Sequence, residues 1–341
     1  MASGLLEVRG SIELDQFWPA GTSDADTTKI LVRVGRDSFR FSKGEDHPLR
    51  TTHAFEDAVV IGKRGRRPAV RDGGVIVVRL QGIDAPELHY RPASARRPKD
   101  RNARQSELYF EWNYEYRQPL AESATIALRG MLADAGANPA PCVVRTVVDN
   151  PSQVFDTYGR FVGDVHVTLG AESVSINHWL VATGWALPAL YSSMSAEEIE
   201  GLLAAAAGPM RDGHGVWKRL GASGARFDWD RRYRGKGATP ADARADTGSI
   251  LLPKLFRRQS TWAVNRRAEM VEGTFAGYLA ARPEGCYLTK DFLEQGVEAA
   301  PHRRLDEFVA TDGTVAIQAG DVVFQEEPSA LRGSDGREVA W

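Results

Sequence analysis

Cysteine and long apolar runs are both scarce in this 341-residue sequence, whose only cysteines are Cys142 and Cys286. Two cysteines so far apart argue against a disulfide framework and against a cysteine-rich zinc site. No stretch approaches the ~18 consecutive apolar residues of a membrane span. The first residues lack a basic stretch followed by an apolar core, so we expect no signal peptide. The sequence therefore predicts a cytoplasmic protein without a membrane partner.

An excess of charge of one sign is also lacking, because 43 basic and 45 acidic residues leave a formal net charge of −2. This balance argues against a chain that binds polyanions over its whole surface. The basic residues are uneven in kind, since only eight are lysine and 35 are arginine. Arginine binds phosphate through two parallel hydrogen bonds, but genomic base composition explains the same bias equally well.

Strand and helix patterns follow one another along the first 220 residues in the order strands, helix, strands, helix, helix. This order predicts an α+β fold rather than a parallel α/β sheet. Strands are predicted near residues 5–14, 29–34, 74–83, 142–148 and 162–169. Helices are predicted near residues 119–136, 175–183 and 195–210, the last with a capping box between Ser195 and Glu198.

The remainder of the chain carries weaker signals. Residues 221–248 are rich in Arg, Asp and Gly, which predicts a linker. Residues 249–341 are predicted to form a C-terminal domain of unknown fold and role, and we recognise no motif there. Within it, the pattern predicts a helix near 261–281 and strands near 306–310 and 321–325.

The most informative string of residues runs from Arg79 to Glu87. An arginine near the end of an apolar strand is costly to bury unless it has a partner. Asp84 and Glu87 follow it, and Pro86 keeps the loop between them extended. This turn can place a carboxylate ligand for a hard cation a few ångströms from a second, free carboxylate. A surface turn with an ion pair is the alternative interpretation.

Two other turns carry related chemistry. The string Asp156–Phe161 offers Arg160 at the start of a strand, where Gly159 permits a tight turn. Asp24 and Asp26 precede another strand, and paired carboxylates suit Ca²⁺, which takes several oxygen ligands. Each turn, taken alone, is also typical of a solvated surface loop.

In this order, the three strings resemble the staphylococcal nuclease (thermonuclease-like) family. The likeness extends to a helix-to-glycine segment at 176–186 and to a final helix at 196–217, and it covers roughly residues 5–220. The family fold is an OB-like five-stranded β-barrel with three helices, in agreement with the predicted element order. The resemblance therefore implies a nuclease-like domain over residues 1–220.

The resemblance also implies which residues are catalytic. Arg79 and Arg160 match the two arginines that hold the scissile phosphate, and Glu87 matches the general base that activates water. Phosphodiester hydrolysis builds negative charge on the phosphate oxygens, which arginines and a divalent cation stabilise. A carboxylate that is not bound to metal can take the proton from water.

Calcium and nucleotide contacts follow from the same resemblance. Asp26, Asp84 and the backbone carbonyl of Ala85 match the positions that bind Ca²⁺. Tyr158 matches a tyrosine that contacts a nucleotide. Tyr191 lies one place from another such position, so its match is weaker.

Two insertions distinguish this chain from the family. The first, at about 35–73, separates Asp26 from Arg79, so Asp24 or Asp72 remains an alternative first metal ligand. The second, at about 89–118, follows the proposed catalytic glutamate and is basic, with aromatic residues at its end. Such a loop can follow a nucleic-acid backbone and stack bases. Alternatively, its aromatic residues pack against the core.

Two functions remain open from the sequence. The first is a Ca²⁺-dependent endonuclease that hydrolyses phosphodiester bonds in DNA, RNA or both. The second is a non-catalytic module of the same fold that binds nucleic acid or protein.

Overall fold

The computed structural model describes residues 4–32, 37–44, 46–63, 65–221, 226–239, 247–327 and 329–341. The strands of these ranges are, in chain order, β1 (Leu5–Ile12), β2 (Thr27–Val32), β3 (Phe39–Ser42), β4 (Arg50–Thr51), β5 (Val59–Gly62), β6 (Gly65–Pro68), β7 (Val75–Leu80), β8 (Ile83–Asp84), β9 (Ala140–Val147), β10 (Phe161–Leu169), β11 (Glu172–Ser175), β12 (Leu187–Pro188), β13 (Leu190–Tyr191), β14 (Gly285–Leu288), β15 (Arg303–Arg304), β16 (Val322–Phe324) and β17 (Ala330–Arg332).

Seven α-helices are described in the same ranges, and they are α1 (Ala103–Trp112), α2 (Ala121–Ala133), α3 (Ile176–Ala182), α4 (Ala196–Arg211), α5 (Pro253–Arg267), α6 (Phe275–Ala280) and α7 (Thr289–Gln295). Within the described part of the chain, none of them has the length and apolar character needed to cross a bilayer. The predicted strand at 29–34 begins two residues earlier, and its positions 33 and 34 lie outside the described residues.

The chain divides into two compact units. The first unit consists of Met1–Ile83, Thr125–Leu180 and Glu326–Trp341, and the second consists of Asp84–Ala124 and Val181–Gln325. The segment that follows the predicted linker contributes residues to both units, and the predicted domain bounds stay a prediction. Part of that linker, residues 222–225 and 240–246, lies outside the described residues.

A closed five-stranded barrel forms the core of the first unit. Its ladder runs from β1 through β2, β7, β10 and β9 and returns to β1. The β7–β10 pair is parallel, and the other four pairs are antiparallel. Apolar side chains such as Leu6, Val8, Ile76 and Val165 are fully buried, as the alternation of a one-sided sheet requires. The predicted OB-like α+β barrel is confirmed.

The first insertion and the last residues of the chain add to the same unit. The segment predicted as an insertion at 35–73 forms β3 and β4 beside β1, and β5 and β6 as a separate hairpin. Strand β17 pairs with β5 at the register Leu331 to Val60. Trp341 stacks on Phe41 with ring centroids 3.8 Å apart, and its indole nitrogen donates to the carbonyl of Asp149 at 2.8 Å. The last residues of the chain are therefore part of the barrel unit.

The second unit packs α1 and α5–α7 around the sheet β13–β16–β14–β15. Its core is rich in aromatic side chains, including Tyr109, Tyr116 and Trp262. Tyr116 is fully buried, and burial raises the pKa of its hydroxyl to about 12. Phe110 is exposed, with 67% of its surface accessible. Most of the aromatic residues of the second insertion therefore pack on a core, as the alternative interpretation held.

The predicted helices at 119–136, 175–183 and 195–210 are present as α2, α3 and α4. Ser195 caps α4, and Glu198 completes the predicted capping box. The single helix predicted at 261–281 is wrong, because two helices, α5 and α6, occupy the region. The backbone turns between them, where Glu269 has a φ of 55° and the hydroxyl of Thr274 accepts the N–H of Gly277 to cap α6.

One predicted C-terminal strand is also wrong. Residues 305–308 form a 3₁₀ helix, in which the carboxylate of Glu307 accepts the backbone N–H of Arg304. This local hydrogen bond favours a turn over an extended strand. The strand predicted at 321–325 is present as β16.

Candidate catalytic site

Three of the predicted site residues lie at one end of the barrel in the first unit. Arg79, near the end of β7, lies opposite Thr27 of β2 and Val162 of β10. Asp26 directly precedes Thr27, and Arg160 lies immediately before β10. The register of the barrel therefore brings two arginines and one carboxylate together, although long stretches of sequence separate them.

Arg79 is buried and has specific partners. Its Nη1 donates to Oδ2 of Asp26 at 3.2 Å, and its Nη2 donates to the carbonyl of Ile83 at 2.8 Å. The side chains of Arg79 and Asp26 are only 9% and 7% exposed. A buried guanidinium is tolerated because its charge and its donors are compensated in this way. Since Ile83 precedes Asp84 in the chain, Arg79 also fixes the backbone that enters the predicted metal-binding turn.

Arg160 lies closer to the surface and is held by the predicted turn. Its Nε donates to Oδ2 of Asp156 at 2.7 Å, and Oδ1 of Asp156 accepts the backbone N–H of Arg160 at 2.9 Å. Its Nη1 donates to the hydroxyl of Thr27 at 3.1 Å, and that hydroxyl donates to Oδ1 of Asp26 at 3.2 Å. Hydrogen bonds thus link Arg160 through Thr27 and Asp26 to Arg79. With 26% of its side chain exposed, Arg160 is more accessible than Arg79, which is 9% exposed.

The two predicted nucleotide-contacting tyrosines lie in different units. Tyr158, in the first unit, is 40% exposed, and its ring centroid lies 5.7 Å from the guanidinium carbon of Arg160. Tyr191, in the second unit, ends β13, and its ring centroid lies 5.2 Å from Nζ of Lys254 and 6.0 Å from that of Phe324. Tyr158 is thus placed beside one predicted phosphate-binding arginine.

Asp84 and Glu87 come together in the second unit, and a third residue joins them. Nη1 of Arg257 donates to Oε2 of Glu87 at 2.8 Å, and its Nη2 donates to Oδ2 of Asp84 at 3.3 Å. The carboxylate side chains are 6% and 12% exposed, and that of Arg257 is 26% exposed. Burial opposes the charge of Arg257, but the Asp84 and Glu87 carboxylates raise its pKa well above the usual value. Arg257 is therefore a cation at this carboxylate pair.

The backbone of Glu87 is fixed by Gln118, which is 1% exposed. The side-chain oxygen of Gln118 accepts the N–H of Glu87 at 3.1 Å, and the N–H of Gln118 donates to the carbonyl of Glu87 at 2.7 Å. Its side-chain nitrogen donates to the carbonyl of Leu251 at 2.6 Å, two residues before α5. One buried amide thus joins the acidic turn to the start of the helix that carries Arg257.

A comparison with known protein families matches the part of the chain that contains most of the predicted site residues. Residues 77–219 match the model of a family described as staphylococcal nuclease homologue. This part of the chain is similar to staphylococcal nuclease homologues, and we call it the nuclease homologue domain. A search among curated proteins found no match. Arg79, Asp84, Glu87 and Arg160 all lie inside the nuclease homologue domain, whereas Asp26 precedes it in sequence.

Arg257 lies outside the nuclease homologue domain, and sequence reasoning missed it. It stands 173 positions after Asp84, and no motif surrounds it. The helix that carries it was predicted to begin near residue 261, although Pro253 at the first helical position marks its true start. That proline, followed by apolar residues at helical spacing, is the signal that places Arg257 on a helix. Nothing in the sequence indicates its partners.

The predicted calcium ligands were tested against this geometry. Two carboxylates and a backbone carbonyl are oxygen donors of the kind that Ca²⁺ binds. However, the Asp26 carboxylate is hydrogen-bonded to Arg79, and the Asp84 carboxylate is paired with Arg257. Across the described ranges, no group of three or more Asp, Glu, His or Cys side chains is arranged to hold a metal ion. As described, the Asp26 carboxylate of the first unit and the Asp84 carboxylate of the second unit are each compensated by an arginine and are not arranged as calcium ligands.

The alternative ligands do not change this result. Asp72 is exposed in the turn before β7, and Asp24 is half-buried two residues before Asp26. The first unit therefore offers Asp26 as the carboxylate bound directly to Arg79 and linked to Arg160 through the hydroxyl of Thr27. The convergence of these first-unit residues with Asp84 and Glu87 on one pocket stays a prediction.

Proposed function

We propose that this protein is a nuclease that hydrolyses internal phosphodiester bonds of DNA, RNA or both. The observation that carries the proposal is the hydrogen-bonded series Arg160, Thr27, Asp26 and Arg79 at one end of the barrel. Two guanidinium groups held at neighbouring positions suit a phosphodiester, whose single negative charge is shared by two non-bridging oxygens. The similarity of residues 77–219 to staphylococcal nuclease homologues supports the same conclusion.

Four of the matched residues have a role in this proposal. Arg160, the more exposed arginine, binds the scissile phosphate first, and Arg79 stabilises the charge that develops on its oxygens. Glu87 takes the proton from the attacking water. Because Oε2 of Glu87 accepts a hydrogen bond from Arg257, this step requires the carboxylate to release that donor. Tyr158, exposed beside Arg160, stacks on a base next to the cleaved bond.

Calcium enters the proposal from the family, in which dependence on this ion is general. The arrangement of Arg257 and the acidic side chains does not supply its ligands, so the steps above are assigned to protein groups alone. A dependence of cleavage on added Ca²⁺ is therefore a separate question for measurement.

A non-catalytic module that binds nucleic acid is the second candidate. The observation that favours it is the engagement of Asp84 and Glu87 by Arg257. A carboxylate held by a guanidinium is a weaker base than a free one, because the positive charge lowers its proton affinity. The basic insertion, with Arg91, Arg96 and Arg97 exposed, would then supply electrostatic binding alone.

Cleavage assays with the full chain separate the two candidates. Labelled single-stranded DNA, double-stranded DNA and RNA are incubated with the protein at several Ca²⁺ concentrations and with chelator. We expect cleavage, and we expect Glu87→Gln to lower its rate by at least about 100-fold, because a positioned general base contributes about 10²–10⁴-fold. Arg160→Gln is expected to lower it by about 10²–10³-fold, the range for one preorganised charge donor.

Glu294→Gln is the matched control, since Glu294 is exposed on α7 and pairs only loosely with Lys290, at 3.9 Å. It should leave the rate unchanged. Cleavage by Glu87→Gln at the wild-type rate would contradict the role of Glu87. Binding of the same substrates without cleavage at any Ca²⁺ concentration, and unaffected by chelator, would establish the non-catalytic module.

A further inference from the structure

The cation that neutralises the Asp84–Glu87 pair is a side chain of the protein, the guanidinium of Arg257. Both terminal nitrogens of Arg257 face the pair, with Nη1 at 2.8 Å from Glu87 and at 3.4 Å from Oδ1 of Asp84, and Nη2 at 3.3 Å from Oδ2 of Asp84. A planar guanidinium bridging two carboxylates is a geometry that lysine cannot reproduce. The pair is therefore bridged by a fixed, oriented charge.

The position of Arg257 is built into the second unit. The loop that follows Glu87 is bound along α5 at successive turns. The hydroxyl groups of Tyr90 and Thr261 are 3.0 Å apart, one helical turn after Arg257. One turn further, Asn265 donates to the carbonyl of Ala93 at 2.8 Å and accepts the N–H of Ala95 at 2.6 Å. Together with Gln118, which links Glu87 to Leu251, these contacts fix the position of the acidic turn relative to α5.

We infer that Arg257 is the resident counter-ion of the Asp84–Glu87 pair and that a divalent cation binds there only by displacing it. A guanidinium and a divalent ion repel each other, and both require the same oxygens of Asp84. The inference does not rest on the proposed nuclease activity, and it takes from the family resemblance only the match of Asp84 to a cation ligand. It gives residues beyond the nuclease homologue domain a defined role, which is to set the affinity of that domain for metal.

The side chain of Arg257 is partly open to solvent, whereas its backbone is held within the helix. Arg257 is 26% exposed, and its backbone carbonyl is bound by the hydroxyl groups of Ser260 and Thr261 within α5. Displacement therefore needs only a change of rotamer, without movement of α5. The competition should consequently follow the concentration of the ion and reverse on its removal.

Calcium titration by calorimetry, without nucleic acid, tests this inference on the full chain. Arg257→Gln removes the competing charge, so we expect it to bind Ca²⁺ at least about tenfold more tightly than the wild type. Arg258→Gln is the matched control. It removes a guanidinium from the next position of α5, where the side chain pairs with Glu284 at 2.9 Å and not with the acidic turn. It should bind Ca²⁺ as the wild type does.

A second variant keeps the inference testable if Arg257→Gln does not fold. Near-ultraviolet circular dichroism shows whether each variant is folded. Arg257→Lys keeps the charge but cannot bridge both carboxylates, so its affinity for Ca²⁺ should rise several-fold. Equal affinities of the wild type and both Arg257 variants would overturn the inference, as would the absence of calcium binding in all of them. Because the titration contains no nucleic acid, it tests this inference even if the protein proves to have no nuclease activity.

Discussion

A buried ion pair in the second unit offers a sharp test of how this fold tolerates charge. Glu122, in the first turn of α2, is fully buried, and Arg117 is 5% exposed. Nε and Nη1 of Arg117 lie 3.2 Å from the two carboxylate oxygens of Glu122, and Nη1 of Arg234 lies 3.6 Å from one of them. One carboxylate therefore compensates two arginines.

Glu122→Gln preserves the shape of the side chain and removes its charge. We expect it to lower the free energy of unfolding by about 3–5 kcal/mol, the range for breaking a buried ion pair by removing one partner. Urea unfolding at pH 7, followed by tryptophan fluorescence, measures this loss. Glu294→Gln is the control, because its pair with Lys290 is 58% and 80% exposed. A helical surface pair of this kind contributes no more than about 0.5 kcal/mol.

A loss from Glu122→Gln no larger than that from Glu294→Gln would refute the reasoning. It would mean that the two arginines find compensation elsewhere, and that burial of the pair contributes little to the stability of the second unit.

Three further predictions concern stability. Asn177→Ala should lower the free energy of unfolding, measured in urea, by about 2–3 kcal/mol. Asn177 is 2% exposed, and its side chain is hydrogen-bonded to the backbone of Val165, Gln81 and Gly163. A loss below about 0.5 kcal/mol would contradict this prediction. Gly215→Ala should lower the free energy of unfolding by more than about 1 kcal/mol in the same assay. The φ of 58° disfavours a side chain, and an added Cβ would clash with the carbonyl oxygen of Gly184. An unchanged unfolding midpoint would refute this prediction. Burial opposes the charge of Glu284, but Lys254 and Arg258 lower its pKa to about 2. Its stabilisation is therefore present above the unfolded value of about 4.3 and is lost as pH falls towards 2, so Glu284→Gln should flatten the decline in stability across that window.

Local sequence patterns predicted the barrel well because each of its strands carries a clear signal in its own residues. The β-branched residues of β7 and β10, and the glycine turn before Phe161, are signals contained within a few residues. The strand order of the family then implied that Asp26, Arg79 and Arg160 would meet, and the register of β2, β7 and β10 brings them together. The capping box at Ser195 was equally readable, since both of its partners lie within one turn.

Several features that sequence reasoning missed depend on distant residues, and others depend on helix boundaries that were misplaced. The pairing of β17 with β5 joins positions about 270 residues apart, and no local pattern specifies it. Arg257 is one of 35 arginines, and its role depends on a helix start that was predicted too late. The break between α5 and α6 was missed because apolar residues continue at helical spacing on either side of it.

The return of residues 330–341 to the barrel has a consequence for synthesis. During translation, the five barrel strands are synthesised long before β17 and Trp341. Their partners β5 and Phe41 are also made early, and all residues of the second unit are synthesised in between. The barrel unit is thus finished last, although most of it is made first. During translation its hairpin β5–β6 presents an open edge to other chains, and a nascent chain stalled before residue 330 would carry that edge exposed.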